Sequence, residues 1–390
     1  HDFQVAASKI GYTFNWLYVD DKHDAYFNSG WNPAKAPGVD PNFPVTGSQP
    51  FEWQGFNPDN LTEDRTPFEQ HPQTVDQSYL TSWNNKQAKD YRAPDGDFAY
   101  GSVYRSQPLD AGIQAATKNG RKMTLTQLVD AMESAGTVDL RAWADLPFAL
   151  KVLGNQSDPK LADAIAKLKA WYHAGAHRVD RNHDGHYDNS DAIRIMDAWW
   201  PLWVQGEFQP TLGPDLYKQT QQILQLDNAP NNGGDHLGSA YETGWYGYVS
   251  KDLRTILKAN ATKKPKATSR RRKHARRAHA SRSTARRSRS GHHRRPAQLV
   301  PGQYSRIYCG QGSLASCRAM LASTLAQAVG ADPAQLYKDD VCSGDEGKGW
   351  DPQMCFDAIR QRPLGAVTQP LIPWINRPTF QQADEIQSHR

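Results

Sequence analysis

The residues whose types and spacing best suit chemistry lie between positions 180 and 191. Side-chain oxygens stand at the first, third, fifth, ninth and twelfth places of that stretch, on Asp180, Asn182, Asp184, Asp188 and Asp191. Gly185 occupies the sixth place, and His186 the seventh, where a backbone carbonyl serves. This is the donor ladder of a twelve-residue calcium loop, in which hard oxygens surround the ion and the glycine makes the sharp turn. Asp191 replaces the usual glutamate, and its shorter arm reaches less easily in bidentate fashion, as dockerin-type loops tolerate. Ca2+ in a structural role is the expectation, since nothing nearby resembles an open catalytic position. A metal-free acidic turn is the alternative.

A second candidate is Asn84, within Ser82-Trp83-Asn84-Asn85-Lys86. Acyl transfer from an amide needs donors aimed at the oxygen that turns negative, and a side-chain amide can be one. Asn84 and Asn85 could equally satisfy loop backbone groups. His236 sits in a glycine-dense stretch, but no Gly-x-Ser-x-Gly elbow is present to supply a nucleophile, so it reads as a buried hydrogen-bonding residue. Trp199, Trp200 and Trp203 are aromatic enough to line an acyl pocket, with core packing the plainer reading.

The elements that must position these residues change character along the chain. Aromatic and β-branched residues over 12–19, a polar turn at 20–24 and Ala25-Tyr26-Phe27 predict a hairpin across 12–30. The segment to about residue 92 is rich in Pro, Asn, Asp and Gly and reads as long ordered loops with short strands. Thr124 and Gln127 form a capping-box pattern that opens a helix over 125–135. Leu161, Ile165, Leu168 and Trp171 recur at helical spacing across 158–175. The same periodicity predicts helices over 190–204, 215–226, 240–257 and 313–329.

Fifteen of the 46 basic residues fall between positions 263 and 295, where there is no acid. The rest of the chain then holds 31 basic and 41 acidic residues, a net of −10, so the overall charge of +5 says little about the body. Residues 261–296, made of Arg, Lys, Ser, Ala and His, have nothing apolar to bury and are expected to be disordered. They could hold an anionic polymer non-specifically, or be a solvated linker. Cys309, Cys317, Cys342 and Cys355 suggest two disulfides, most simply Cys309 with Cys317 and Cys342 with Cys355. Disulfides favour a secreted or periplasmic protein. No run is long and apolar enough to span a bilayer. The absence of an initiating Met and of a signal peptide suggests a processed or truncated product.

Read together, Ser82-Trp83-Asn84-Asn85-Lys86 and Phe14-Asn15-Trp16-Leu17-Tyr18-Val19-Asp20 resemble the catalytic β-subunit of the penicillin acylase (penicillin amidase) family, N-terminal nucleophile hydrolases. Ile195-Met196-Asp197-Ala198-Trp199-Trp200-Pro201, the stretch 237–247 and Asn376-Arg377-Pro378-Thr379-Phe380-Gln381-Gln382 extend the resemblance over nearly all of the chain except 261–296. It implies an α+β fold: a partial αββα core, β-rich at first, followed by a mostly helical part with long ordered loops. The corresponding regions are 1–120, the sheet with Asn84; 121–260, helical with the calcium loop; 261–296, the basic insertion; and 297–390, bearing the cysteines.

The resemblance also implies roles. Asn84 would stabilise the oxyanion, and Arg105, in Tyr104-Arg105-Ser106, would steady the active-site network, a surface salt bridge being the alternative. Pro41, with Asp95 or Asp97, matches a position that helps hold a structural calcium in the family. The nucleophile, a serine freed by self-cleavage, is missing: no Ser-Asn-x-Trp-like start occurs, and the chain opens inside the β-subunit. The implied partners are the α-subunit, the N-terminal part of the β-subunit and a small acyl-amide substrate. Alone, the chain is expected to be inactive. An acylase for acyl-homoserine lactones or lipopeptides would use the same parts. A non-catalytic secreted remnant that binds anionic polymers is the reading from a different class.

Overall fold

The computed structural model describes residues 1–34, 46–48, 51–82, 87, 88, 91, 103–224, 245–261, 306–337, 349–357 and 383–387. It is helix-rich with one small sheet, a mixed α+β arrangement. A short helix α1 (Asp2–Ala7) precedes strands β1 (Asn15–Val19), β2 (Asp24–Asn28) and β3 (Gln73–Val75). These pair antiparallel in that order, β1 against β2 from Asn15 opposite Asn28 to Val19 opposite Asp24.

The predicted hairpin is therefore present, and its turn has a chemical cause. Asp20 accepts backbone N–H bonds from Lys22 and His23, each at 2.7 Å, and the Tyr18 hydroxyl at 2.8 Å. The two backbone donors, with Tyr18 adding to them, lower its carboxyl to about 2. Phe27 of β2 is fully buried and stacks on Phe68 and His71, closing one face of the sheet. On β1, by contrast, Leu17, Tyr18 and Val19 are exposed, and among the described residues β1 is a sheet edge.

Helices follow: α2 (Val103–Ala116), α3 (Leu125–Thr137), α4 (Leu140–Ala144), α5 (Leu146–Leu153), α6 (Pro159–His173), α7 (Ser190–Leu212), α8 (Pro214–Leu224), α9 (Tyr246–Ala261), α10 (Leu314–Val329), α11 (Pro333–Leu336) and α12 (Pro352–Phe356). The capping box on α3 is formed, Thr124 Oγ1 accepting from the Gln127 N–H while Gln127 Oε1 accepts from the Thr124 N–H. Asp158 caps α6 and Ser313 caps α10, each through its side-chain oxygen.

Helix α7 is the axis of the core, with α6, α8 and α10 packed along it. Trp199, Trp200 and Trp203 are buried there. Rings of this size remove roughly 150–250 Å² each from water. Trp199 Nε1 donates to Thr324 Oγ1 of α10 (3.0 Å), so the tryptophans build the core rather than an acyl pocket. Cys309 and Cys317 are disulfide-bonded, as expected. Cys355 is also in a disulfide, and its expected partner, Cys342, lies outside the described residues. So do residues 262–305, which include almost all of the basic insertion.

Candidate functional site

The sheet region positions the segment that leads to Asn84. The Asn15 carboxamide accepts from the Tyr26 hydroxyl (2.7 Å) and from Asn28 Nδ2 (2.9 Å) on its oxygen. Those two donors orient it, and its nitrogen donates to Ser82 Oγ at 3.0 Å. Burial pushes the Tyr26 phenol up, so it remains a donor at neutral pH. On the other side, Thr81 Oγ1 donates to Asp110 Oδ1 (2.8 Å) and Gln114 Nε2 donates to the Tyr79 hydroxyl (2.7 Å). Asp110 and Gln114 belong to α2, whose first turn carries Arg105.

Residues 79–82 are thus held between the first strand and the helix of Arg105, although the bonded partners are 29 to 67 positions apart in the chain. Asn84 follows two residues after Ser82. Asn84 itself, Pro41, Asp95, Asp97 and His236 lie outside the described residues, and Arg105 is placed only by its backbone.

The calcium-type loop is folded and internally bonded. Asp180 accepts from the backbone N–H groups of Asp184 (3.2 Å) and Gly185 (2.9 Å). Asn182 Nδ2 donates to Asp184 Oδ2 (2.8 Å), and Asp184 Oδ1 accepts the His186 N–H (2.9 Å). The Asn182 side chain and the His186 N–H hold the Asp184 carboxyl below its usual range. Gly185 has a φ of 88° and lies so close to the 349–351 segment that a Cβ would fall 1.7 Å from the Gly349 oxygen. The Asp351 N–H donates to the Gly185 carbonyl (2.9 Å), and His186 pairs with the Asp351 carboxylate.

The second half of the donor set is otherwise engaged. Asp188 is paired with Arg181, and Asp191 with Lys167 (2.8 Å) and Arg194 (3.8 Å). Among the described residues no three His, Cys, Asp or Glu side chains converge as a ready-made metal cluster. The sequence pattern supplies the oxygens, whereas ion pairing divides them between an inner half, Asp180, Asn182 and Asp184, and an outer half held by cations.

Beside the loop, a cleft of about 630 Å³ is lined by Asp130, Glu133, His177, Arg181, His183 and Trp350, among others. His177 contacts Thr137 Oγ1 at 3.1 Å, but that hydroxyl gives its proton to the Glu133 carbonyl (2.8 Å) and is not presented as a nucleophile. Burial first, then Arg181, lowers His177 from its ordinary value.

Behind the cleft is an ionic network that sequence reading did not single out. Asp139, Arg141, Arg178, Asp197 and Asp357 are all essentially buried. Arg178 donates to Asp197 (2.8 and 3.0 Å) and to Asp357 (2.6 Å), and Arg141 to Asp139 and Asp197 (2.6 Å each). Burial alone would raise Asp139, but the Arg141 and Arg178 guanidiniums outweigh it and hold it below its ordinary value. Burial, partly offset by Arg178, pushes Asp357 up to about 6. The available signal was Asp197, a single charge inside the apolar run 195–204.

Residues 1–331 match the family model described as Penicillin amidase. Over 199 residues the chain is 27% identical to Penicillin G acylase from Escherichia coli, a match covering 50% of this chain and 21% of that protein. Among solved structures, a thermostable Penicillin G acylase from Alcaligenes faecalis superposes with a TM-score of 0.49 at 17% identity, covering 88% of this chain and 50% of that one. The chain therefore spans about a fifth of the length of the curated relative it matches.

Proposed function

The chain belongs to the penicillin amidase family, and from that premise we propose that it is the oxyanion-stabilising part of an acyl-amide hydrolase. The observation that carries this reading is the Asn15–Ser82 hydrogen bond. It fixes the segment leading to Asn84 against the first hairpin, and bonds to Asp110 and Gln114 fix the same segment against the helix of Arg105. Asn84 is only two peptide units from Ser82, about 7 Å of chain at most.

In this reading a serine at the N-terminus of another stretch of polypeptide attacks the amide carbon of a substrate whose acyl group is aromatic or fatty. The serine's own α-amine takes the hydroxyl proton and delivers it to the departing amine. Water then attacks the acyl-enzyme, releasing the acid and restoring the serine. Both tetrahedral intermediates carry charge on the former carbonyl oxygen, and the Asn84 carboxamide donates to it. Arg105 is a positioning residue that steadies this network, its planar fork of donors suiting such a task. The edge that β1 forms among the described residues, with Leu17 and Val19 open to solvent, supports pairing with the serine-bearing polypeptide.

The loop from Asp180 to Asp191 is, in the same proposal, a structural calcium site. Asp180, Asn182 and Asp184 provide the inner oxygens, and Asp188, Asp191 and the His186 carbonyl would complete the set once Arg181 and Lys167 yield their carboxylates. The ion would supply cross-linking charge between the loop and α7, with no part in the chemistry. The disulfides support an extracytoplasmic location, and no helix among the described residues is long and apolar enough to cross a membrane.

The test is to assay the chain alone and joined with its serine-bearing polypeptide against aryl-acyl and fatty-acyl amides. The chain alone should release no amine, and the assembled protein should release it through a covalent acyl-serine. An assembled, folded protein with no hydrolysis of any amide in the panel would overturn the proposal.

A further inference from the structure

The fifteen basic residues between positions 263 and 295, eleven Arg and four Lys, have no task in the hydrolase reading. The described body offers a place of opposite charge. It is the cleft of about 630 Å³ beside the calcium-type loop, where α3 faces the 177–183 and 350–354 segments. Val179, the half-buried Trp350 and the buried Met354 give it an apolar lining. Asp130 and Glu133 give it an acidic one. They stand three residues apart on α3, hence on one side of that helix, and both are exposed.

Among the described residues, no cation answers these two carboxylates. Arg178 is committed to the buried network of Asp139, Asp197 and Asp357, and Arg181 is paired with Asp188. Burial first, then Arg181, lowers His177, so its ring adds no positive charge to the cleft at neutral pH. A recess with two unpaired carboxylates and a tryptophan ring suits a guanidinium above other cations. That group is flat, stacks on an aromatic face and bonds a carboxylate through two parallel donors.

The chain's own basic segment can reach this place. Ser250, early in α9, donates to Asp145 at the end of α4 (2.6 Å). Helix α4 starts just after Val138, which bridges His177 of the cleft. Helix α9 spans about 24 Å from Tyr246 to Ala261. Description resumes at residue 306, and Asp252 anchors the chain there by accepting the N–H groups of Tyr308 (2.8 Å) and Cys309 (2.6 Å). Residues 262–305 can extend roughly 70 Å out and back between those anchors, so length does not limit contact with the cleft. Charge favours it, since the body without the segment carries 31 basic against 41 acidic residues.

We propose that the cleft docks arginines of the 263–295 segment of the same chain, a guanidinium lying on Trp350 and pairing with Asp130 or Glu133. The pairing is ionic and close to solvent, so salt weakens it. An anionic polymer competes for the same arginines. The body thus withholds its basic segment from anionic partners until salt or a polyanion displaces the contact. The inference stands whether or not the chain takes part in amide hydrolysis.

The test is zero-length carbodiimide cross-linking of the full chain, with the monomer mapped by mass spectrometry. Lys263, Lys264, Lys266 and Lys273 lie in the segment and should join to Asp130 or Glu133 at low salt. These links should fall about tenfold or more between about 20 mM and about 0.5 M salt. Asp130→Asn with Glu133→Gln changes only exposed side chains, so this variant should melt as wild type does. It should elute from a heparin column at higher salt than wild type, because its arginines are no longer engaged. Asp163→Asn with Asp215→Asn removes the same charge from exposed positions elsewhere and should elute as wild type does. Links spread evenly over the carboxylates of the body, or equal elution of wild type and the cleft variant, overturn the proposal. Links found only between two chains would give the cleft to the segment of a second copy, which also overturns docking within one chain.

Discussion

At the scale of single residues, Arg178 connects more of the molecule than any motif read from the sequence. Its guanidinium meets Asp197 of α7, Asp139 before α4 and Asp357 after α12. Removing one member of a buried ionic group strands the others without water. Arg178→Ala is therefore expected to cost about 3–5 kcal/mol of stability, measured by denaturant unfolding. A loss under about 1 kcal/mol would mean that water or rearrangement replaces the guanidinium. Exposed pairs such as Lys167 with Asp163 are screened by solvent and contribute little. Beyond the lone charge of Asp197, this was not legible in the sequence, where Arg178 is one basic residue among many and its partners lie 19 to 179 positions away. Thr124 with Gln127, by contrast, was readable because both halves of that interaction lie within four residues.

At the scale of elements, local chemistry was legible and long-range packing was not. The hairpin, the capped α3 and the periodic α6 and α10 follow from residues close in sequence. Helix α7 extends to Leu212, beyond the 190–204 that periodicity predicts. Gly206 is there for packing. A Cβ at that position would meet Met320 Sδ of α10 at 2.9 Å, so the glycine lets two helices approach. The short helices α4 and α5 escaped the reading because Asp139 and Asp145 interrupt the apolar pattern, and only the fold shows them as buried helix-start residues.

The calcium loop belongs to this scale as well. Calcium should raise the melting temperature of the intact chain, and Asp180→Ala with Asp184→Ala should lower it and abolish the calcium-dependent gain. Melting unchanged by chelator would leave the loop as a hydrogen-bonded turn clamped by residues 349–351. That outcome is physically coherent, since Arg181 and Lys167 already neutralise Asp188 and Asp191.

At the scale of the whole molecule, the chain divides its tasks. A tryptophan-rich helical body supplies the core, and a small sheet with one exposed edge carries the segment that leads to Asn84. The match to the penicillin amidase family covers both, yet the chain corresponds to about a fifth of the curated relative's length. In the proposed reading, catalysis draws on residues from elsewhere, and this chain would contribute a donor to the oxyanion. The most direct measurement is the steady-state rate of the assembled hydrolase with Asn84→Ala against wild type. The account predicts a fall in kcat of about 10²–10³, with melting temperature unchanged and KM nearly so. An unaltered kcat in a folded variant would contradict it.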